Sequence, residues 1–228
     1  MLFRNKEPDR AFQFIAGSDF DIFCLQEVPE KFLARLKKLP LSIACGTDVE
    51  RLFSRGVERN FVVILSTHAI EAQGEIPFPE YWRLFPLRTR LFVRLMRPFH
   101  FSKIRNRGGL YADVIVDGTA MRIFNLHLIL AKPAWRLKEF ETAMAARDFS
   151  RPTIVCGDFN ILETRHIALL NWLLGGKMSD ALFHRRERTR IERCFVEHEL
   201  ANALSGAVTH PLSQSQLDHI LVSRAFLI

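Results

Sequence analysis

The stretch TIVCGDFNI, Thr153 to Ile161, places an apolar run directly before two polar side chains. The run has no helical periodicity and therefore predicts a buried strand, which Gly157 ends. Asp158 and Asn160 follow one residue apart, where the strand gives way to a loop. Because loops at the strand ends of α/β folds carry ligand-binding groups on a rigid scaffold, the stretch predicts a functional site. An Asx turn, in which Asp158 only shapes the loop, is the simpler interpretation.

Three further apolar runs are accompanied by polar residues in the same way. DIFCLQEV places Glu27 just after a strand, and RIFNLHL carries Asn125 and His127, which lie two apart and so on one face. SQLDHILVS supplies Asp218 and His219, whose side chains point to opposite faces because they are adjacent. Carboxylates and amides without a cysteine cluster favour a hard cation such as Mg²⁺. The structural alternatives are a helix N-terminal Glu27, an interior His127 and a turn-capping Asp218.

The order of predicted elements indicates the fold class. Strands and helices alternate, which predicts an α/β fold, and the Asp117-Gly118 hairpin signal adds antiparallel pairs, so we expect mixed sheets. Helices are predicted after Pro29, after Pro133 and over ETRHIALLNWLLGG, which Gly175-Gly176 closes. The sequence contains no repeat, linker or low-complexity tract. We therefore expect one domain over residues 1–228.

Composition indicates the class of partner and the cellular compartment. The formal charge of +7 and the isoelectric point of about 9.6 favour an anionic partner: nucleic acid, a phospholipid surface or a phosphorylated small molecule. The four cysteines form no CxxC pair, which indicates free thiols in a reducing compartment. The N-terminus lacks the apolar core of a signal peptide, and no apolar run is long enough to cross a bilayer. These features predict a cytoplasmic protein.

Four motifs together resemble those of a known family. CLQEV, FNLHL, CGDFNI and SQLDHILVS, taken in this order between Asp19 and Ser223, resemble the motifs of the endonuclease/exonuclease/phosphatase superfamily, which has the deoxyribonuclease I-like fold. The resemblance implies a four-layer α/β sandwich of two mixed sheets flanked by helices. It also implies cleavage of a phosphate ester with Mg²⁺ or Mn²⁺. Family substrates include DNA, RNA, inositol phosphates and sphingomyelin.

The resemblance also implies a role for each motif residue. Glu27 is expected to bind the metal, Asp158 to orient or activate the attacking water, and Asn160 to steady the phosphoryl oxygens. His127 is expected to contact the phosphate, with Asn125 assigned to substrate binding. Asp218 resembles the aspartate that orients a catalytic histidine. In-line displacement at phosphorus needs such groups, because charge builds on the non-bridging and leaving oxygens.

The sequence departs from the family pattern at both ends. Asn5 is the only candidate for the metal-site asparagine that usually ends a first strand, and no Ser-Asp-His motif follows SQLDHILVS. We therefore expect a sandwich without the family's terminal strands. Three functions remain open: a phosphodiesterase or nuclease, a weakened or inactive member that binds a phosphate-bearing partner or anionic membrane, and a lipid or inositol phosphomonoesterase. We expect a monomer.

A basic and apolar segment separates two of the motifs. No acidic residue occurs between Tyr81 and Ala112. Leucines recur at helical spacing, at Leu84, Leu87, Leu91 and Leu95, with Arg90, Arg94 and Arg97 displaced toward another face. One interpretation is an amphipathic helix that meets nucleic-acid backbone or lipid headgroups, as a peripheral membrane contact. The other is a helix packed on the core with a solvated basic face. The run RRERTRIER, with interleaved glutamates, indicates an ordinary exposed helix face.

Overall fold

The computed structural model describes residues 7–53, 56–95, 101–162, 164–183 and 185–226. The strands of this part are β1 Ile22–Pro29, β2 Ser42–Phe53, β3 Gly56–Ser66, β4 Ile70–Pro77, β5 Phe101–Arg105, β6 Gly108–Val116, β7 Thr119–His127, β8 Thr153–Asp158, β9 Leu200–Asn202 and β10 Asp218–Ser223. Its α-helices are α1 Pro8–Gly17, α2 Glu30–Leu36, α3 Leu87–Leu95, α4 Pro133–Met144, α5 Arg165–Leu173, α6 Met178–Leu182 and α7 Arg186–Glu197. Short 3₁₀ turns span Trp82–Leu84 and Arg224–Phe226.

The strands form two sheets. The smaller has the order β1-β3-β2-β5 with antiparallel pairing throughout. The larger has the order β4-β6-β7-β8-β10-β9, and its β7–β8 pair is parallel while its other pairs are antiparallel. The predicted α/β fold with two sheets flanked by helices is confirmed, with the parallel pair confined to the larger sheet.

Three apolar clusters hold four layers together. Strand β3 illustrates this arrangement: Val62 and Ile64 face the other sheet, while Val63 and Leu65 face helices α1 and α2. Strand β7 repeats the pattern, since Ile123 lies between the sheets and Phe124 packs toward α4 and α7. Strands covered on both faces read as continuous apolar runs, which is why the sequence reveals them. The order of layers is therefore helices, small sheet, large sheet, helices.

Strand β2 is the main element that the sequence pattern does not reveal. It carries Asp48, Glu50 and Arg51, which interrupt any apolar run, yet all three are buried. Each is compensated by a partner from another strand or loop; Glu50, for example, accepts hydrogen bonds from Arg59 and Arg105. Buried charges of this kind are stable only when they are paired.

Helix α3 turns its leucines outward. Leu87, Leu91 and Leu95 of α3 and Leu84 of the preceding 3₁₀ turn are 57–83% exposed, whereas Phe85 and Phe92 pack beside Tyr81 and Trp135. The helix therefore packs on the core through Phe92, while its leucines, which the spacing alone placed on one face, are turned to solvent. Arg90 is exposed and donates to the carbonyl oxygens of Phe85 and Arg83 at 2.9 and 2.6 Å. Arg94 belongs to α3 without a described side chain, and Arg97 lies outside the described residues.

Across the described ranges, no helix combines the length and hydropathy that a bilayer crossing requires.

Candidate active site

The predicted residues meet at one end of the seam between the two sheets. His127 ends β7, Asp158 ends β8 and Asp218 begins β10, and strand register makes them lateral neighbours: His127 beside Asp158, and Asp158 beside Asp218. The opposite sheet contributes Glu27 from β1 and Asp48 from β2. Because side chains alternate along strands, all three residues of the larger sheet share the face that looks into the seam.

Asp48 and His127 form a charged pair across the seam. The Nδ1 atom of His127 lies 2.9 and 3.0 Å from the two carboxylate oxygens of Asp48, which has no exposed surface. Burial alone would lower the pKa of His127, but the charge and hydrogen bond of Asp48 outweigh it and raise this pKa to about 9. Burial would likewise raise the pKa of Asp48, yet His127 holds it below its ordinary value. The pair is therefore an imidazolium and a carboxylate at neutral pH.

Arg107 and Glu139 stabilise the backbone next to this pair. Arg107 donates to the carbonyl oxygen of His127 at 2.6 Å, and its guanidinium also lies 3.4 Å from Glu139. Glu139 is buried and accepts a hydrogen bond from the Ile129 N–H at 2.7 Å. The backbone that follows His127 is thereby fixed. None of the quoted motifs contains Asp48, Arg107 or Glu139, so sequence reasoning missed all three; the only local signal is the charged run DVER, which contains Asp48.

Asp158 and Asn160 are arranged by a tight turn at the end of β8. The Asp158 carboxylate accepts the Asn160 N–H at 2.8 Å, which is the Asx-type bond that the simpler interpretation expected. Asn160 has φ 54°, and its Nδ2 donates to the Leu128 carbonyl at 2.9 Å. Both side chains therefore help to hold the loop, and both lie at the cleft.

Gly157 makes the close approach of β8 to β7 possible. Its φ is 145°, and a Cβ built there would lie only 1.8 Å from the carbonyl oxygen of Leu126. Any side chain would clash with backbone, so the glycine of GDFN is required by packing. It fixes the direction in which Asp158 leaves the sheet.

Negative charge accumulates around Asp158. Burial raises the pKa of Asp158, His127 partly offsets this effect, and the charges of Asp218 and Glu27 raise the pKa further. A carboxyl group between two other carboxylates is protonated more readily unless a cation is present. The cleft therefore favours a positively charged ligand beside its anionic groups.

Glu27 occupies an irregular position at the edge of the cleft. Strand β1 has a bulge between Leu25 and Val28, and Glu27 has φ 53°, so its alternative as a helix N-terminal residue is wrong. Its N–H donates to Asp48 at 2.9 Å, and its carboxylate accepts from Arg51 at 2.8 Å. Arg51, which the sequence did not single out, thus neutralises part of the charge of the expected metal ligand.

The donor set fits a hard divalent cation. Glu27, Asp158 and Asp218 offer carboxylate oxygens, and their mutual repulsion would be relieved by Mg²⁺ or Mn²⁺. Among the residues that the structure describes, no three His, Cys, Asp or Glu side chains are already arranged to hold a metal ion. Mg²⁺ commonly needs only one or two carboxylates, with waters and substrate phosphate as its other ligands. Asn5, the other expected ligand, lies outside the described residues.

Asn125 has a structural position, and this corrects its assignment to substrate binding. It shares the inner face of β7 with His127, as predicted, but it lies deeper in the seam and has no exposed surface. Its Nδ2 donates to the carbonyl oxygens of Leu25 and Val63 at 2.9 Å each, and its Oδ1 accepts from Gln26. A substrate cannot reach this amide, which instead links the two sheets.

Asp218 and His219 point apart, as their adjacency predicts. Asp218 is exposed at the cleft, and its N–H donates to Thr209 at 2.9 Å. His219 is buried on the other face, stacked on Phe159 at 4.7 Å and 2.9 Å from Arg188. His219 therefore packs against the helical layer and does not replace a histidine of the cleft.

Comparisons with known proteins agree with this architecture. Residues 2–228 match the model of the Endonuclease/Exonuclease/phosphatase family. A search of curated proteins found no match. A family protein from Leptotrichia buccalis is similar in structure, with 15% identity, a TM-score of 0.56, and 97% of this chain and 83% of that chain covered.

Two other solved structures share the fold. The Bacteroides thetaiotaomicron mannosyl-6-phosphatase has 18% identity and a TM-score of 0.52, with 96% of this chain and 76% of that chain covered. The human Nocturnin catalytic domain with bound sulfate has 15% identity and a TM-score of 0.53, with 97% and 76% covered. At such identities these likenesses support the fold alone. Because the family model spans residues 2–228, the chain belongs to the endonuclease/exonuclease/phosphatase family.

Proposed function

We propose that this chain hydrolyses a phosphate ester by in-line attack of water, in a reaction that depends on Mg²⁺ or Mn²⁺. The observation that carries the proposal is the convergence of His127, Asp158 and Asp218 on three adjacent strands, opposite Glu27 and Asp48. Members of the family are phosphoesterases and nucleases. The net charge of +7 suits an anionic substrate.

His127 is the group proposed to contact the phosphate. Its pairing with Asp48 keeps it protonated at neutral pH, so it offers a positive charge and a donor to the phosphoryl oxygens. Asp48 acts through His127 as a positioning residue. Arg107 bonds the carbonyl oxygen of His127 and so fixes the backbone from which the ring extends, while Asp48 holds the ring itself through Nδ1. A preorganised donor of this kind stabilises the charge that develops as the ester bond breaks.

Asp158 is proposed to accept the proton of the attacking water. Its raised pKa brings it closer to the operating pH than an ordinary carboxylate, which improves a general base. Asn160, which bonds the Leu128 carbonyl through one N–H, has a second N–H that can steady a phosphoryl oxygen. Asp218 contributes the neighbouring negative charge, and its role in orienting a catalytic histidine remains a prediction.

Glu27, together with Asn5, is proposed to hold the divalent ion. The bound ion would supply Lewis-acid stabilisation of phosphoryl charge. Arg51, bonded to Glu27 at 2.8 Å, keeps the carboxylate oriented toward the cleft edge.

The test compares diester and monoester hydrolysis. The purified chain is assayed with bis-p-nitrophenyl phosphate and p-nitrophenyl phosphate, with Mg²⁺, with Mn²⁺ and with EDTA. Asp158→Asn should lower the rate about 100- to 10,000-fold, since a positioned base contributes that much. Asp117→Asn, at an exposed hairpin turn, is the matched control and should leave the rate unchanged.

Each outcome separates the candidate functions. A faster diester rate supports a phosphodiesterase or nuclease, and a faster monoester rate supports a phosphomonoesterase acting on a lipid or inositol phosphate. Rates of the wild type and Asp158→Asn that both equal the uncatalysed background would reject hydrolysis and leave a family member that binds phosphate-bearing partners without cleaving them.

A further inference from the structure

The helix α7 carries its charges differently from what its sequence suggests. RRERTRIER was expected to be an ordinary exposed helix face; Glu192 is exposed as expected, but Glu187 is buried. Glu187 accepts from Arg136 at 2.7 Å, and Glu192 lies 3.8 Å from Arg188, which contacts His219 on the sheet side. Glu187 is therefore paired with Arg136, and Glu192 with Arg188.

The other four arginines of this run, together with Arg165 at the start of α5, line an open groove between α5, α6 and α7. They are Arg165, Arg185, Arg186, Arg190 and Arg193, and none of the described residues lining the groove is acidic. Leu182 and Phe183 form its apolar wall, and the Arg186 guanidinium lies 4.0 Å from the centre of the Phe183 ring. Clustered cations without carboxylates attract a polyanionic surface.

Exposed apolar side chains surround this groove on neighbouring helices. Leu169 on α5 is exposed, as are Leu182 and Phe183 at the end of α6. Helix α5 contacts both α6 and α3. Helix α3 presents the exposed Leu87, Leu91 and Leu95, and Leu84 is exposed in the turn before it. Arg88 fastens α3 to α5 by donating to the Trp172 carbonyl at 3.0 Å. We call this set of helices, α3, α5, α6 and the start of α7, the apolar–basic face.

The apolar–basic face borders the candidate active site. Helix α5 follows the loop of Asp158 and Asn160, and Asn171 of this helix donates to the Leu162 carbonyl at 2.9 Å. Phe92 of α3 and Phe85, just before the helix, pack on the segment of Ile129 to Trp135, shortly after His127. Both helices are thus anchored to the loops that form the cleft.

We infer that the apolar–basic face docks on an anionic phospholipid bilayer. Arginines match the negative headgroups, and leucines and phenylalanine can enter the acyl boundary, as in interfacial amphipathic helices. A nucleic-acid backbone would engage the arginines but would leave the leucines of α3 in water. The combination of exposed apolar and basic side chains therefore favours the bilayer. The inference adds a partner to the proposed function, and docking itself requires no hydrolysis.

The test measures co-sedimentation with phosphatidylcholine vesicles with and without phosphatidylserine. The wild type should bind only the phosphatidylserine vesicles, and added salt should weaken this binding. The triple variant R186Q/R190Q/R193Q should bind about 100-fold more weakly, because each basic residue near an anionic surface contributes roughly fivefold. L87S/L91S should bind at least about tenfold more weakly, since the acyl contact is lost. Both variants change exposed residues, and circular dichroism verifies that they are folded.

Matched controls lie in the opposite helical layer. K31Q/K37Q/K38Q removes three exposed charges around α2, and F14S removes an exposed phenylalanine of α1; both should bind like the wild type. Asp158→Asn should also bind normally, which separates docking from hydrolysis. The inference is overturned if the wild type ignores phosphatidylserine vesicles, or if either face variant binds them like the wild type. Binding of a DNA duplex that depends on the arginines, without vesicle binding, would likewise overturn it.

Discussion

Replacing Asp48 by asparagine should release His127 from the carboxylate that fixes its charge. The two residues are paired at 2.9 Å across the seam, and Asp48 also accepts the Glu27 N–H. Asparagine keeps the shape of the side chain and one acceptor oxygen, so the substitution removes mainly the negative charge. Burial and the charge of Arg107 both lower the pKa of His127. Without the opposing carboxylate, we expect this pKa to fall below 6.5.

The loss of stability in Asp48→Asn follows from the pKa of His127. It is about 9 in the folded protein against an ordinary value of 6.5, and the difference of about 2.5 (9 minus 6.5) corresponds to about 3 kcal/mol at about 1.4 kcal/mol per unit. The His127 side chain is only 13% exposed, so solvent screening reduces this figure little. Asp48→Asn should therefore lower the free energy of unfolding by about 3 kcal/mol, in the range found when a buried ion pair loses one partner.

The pH dependence has a definite sign. A histidine whose pKa is raised by folding contributes its full stabilisation below 6.5 and loses it as the pH rises through about 9. The stability difference between the wild type and Asp48→Asn should therefore be largest near about pH 6 and should shrink toward about pH 9 to 10.

Two measurements check this reasoning. Heteronuclear NMR titration of the imidazole reports the pKa of His127, and urea unfolding at several pH values reports stability. Asp117→Asn, on an exposed turn, is the control and should change neither quantity. A wild-type His127 that titrates near 6.5, or a variant as stable as the wild type at about pH 6, would refute the pairing.

Three further predictions follow from the cleft and the seam. Gly157→Ala should lower the free energy of unfolding by more than about 3 kcal/mol, because the added Cβ would lie 1.8 Å from backbone; Gly17→Ala, which meets open space, is its control in urea unfolding. Asn125→Leu should lower the free energy of unfolding by about 2–4 kcal/mol, because the buried carbonyl oxygens of Leu25 and Val63 lose their hydrogen-bond donor. A variant as stable as the wild type would contradict the proposed link between the sheets. The hydrolysis rate should rise with pH through the raised pKa of Asp158 and fall as His127 deprotonates at about 9; a rate that stays flat through that value would argue against a charged His127.

The layers of the fold could be predicted from the sequence because most strands are covered on both faces. The runs IFCL of DIFCL and FVVIL of NFVVILS are apolar throughout, since one face meets helices and the other meets the second sheet. Strand β2 could not be predicted in this way. Its charges are buried against partners such as Arg105, which lies 55 residues from Glu50. Only the tertiary structure brings such pairs together.

The candidate site could be predicted only in part, because some of its residues stand in motifs and others do not. His127, Asp158 and Asp218 each stand in a short motif at a strand end, and strand pairing brings them together. Asp48 stands in no motif, and its partner lies 79 residues away. Asn125 was misassigned because sequence spacing defines the face of a strand but not the depth in the seam. The outward leucines of α3 were also hidden, since a helical apolar stripe usually indicates a buried face.

The position of the cleft at the seam has a consequence for ligands. His127, Asp158 and Asp218 come from one sheet, and Glu27 and Asp48 come from the other. Any molecule that contacts both groups connects the two halves of the sandwich, and its binding energy adds to their association. Phosphate analogues should therefore raise the melting temperature of the whole protein, and a thermal shift screen could find substrates before any turnover is detected.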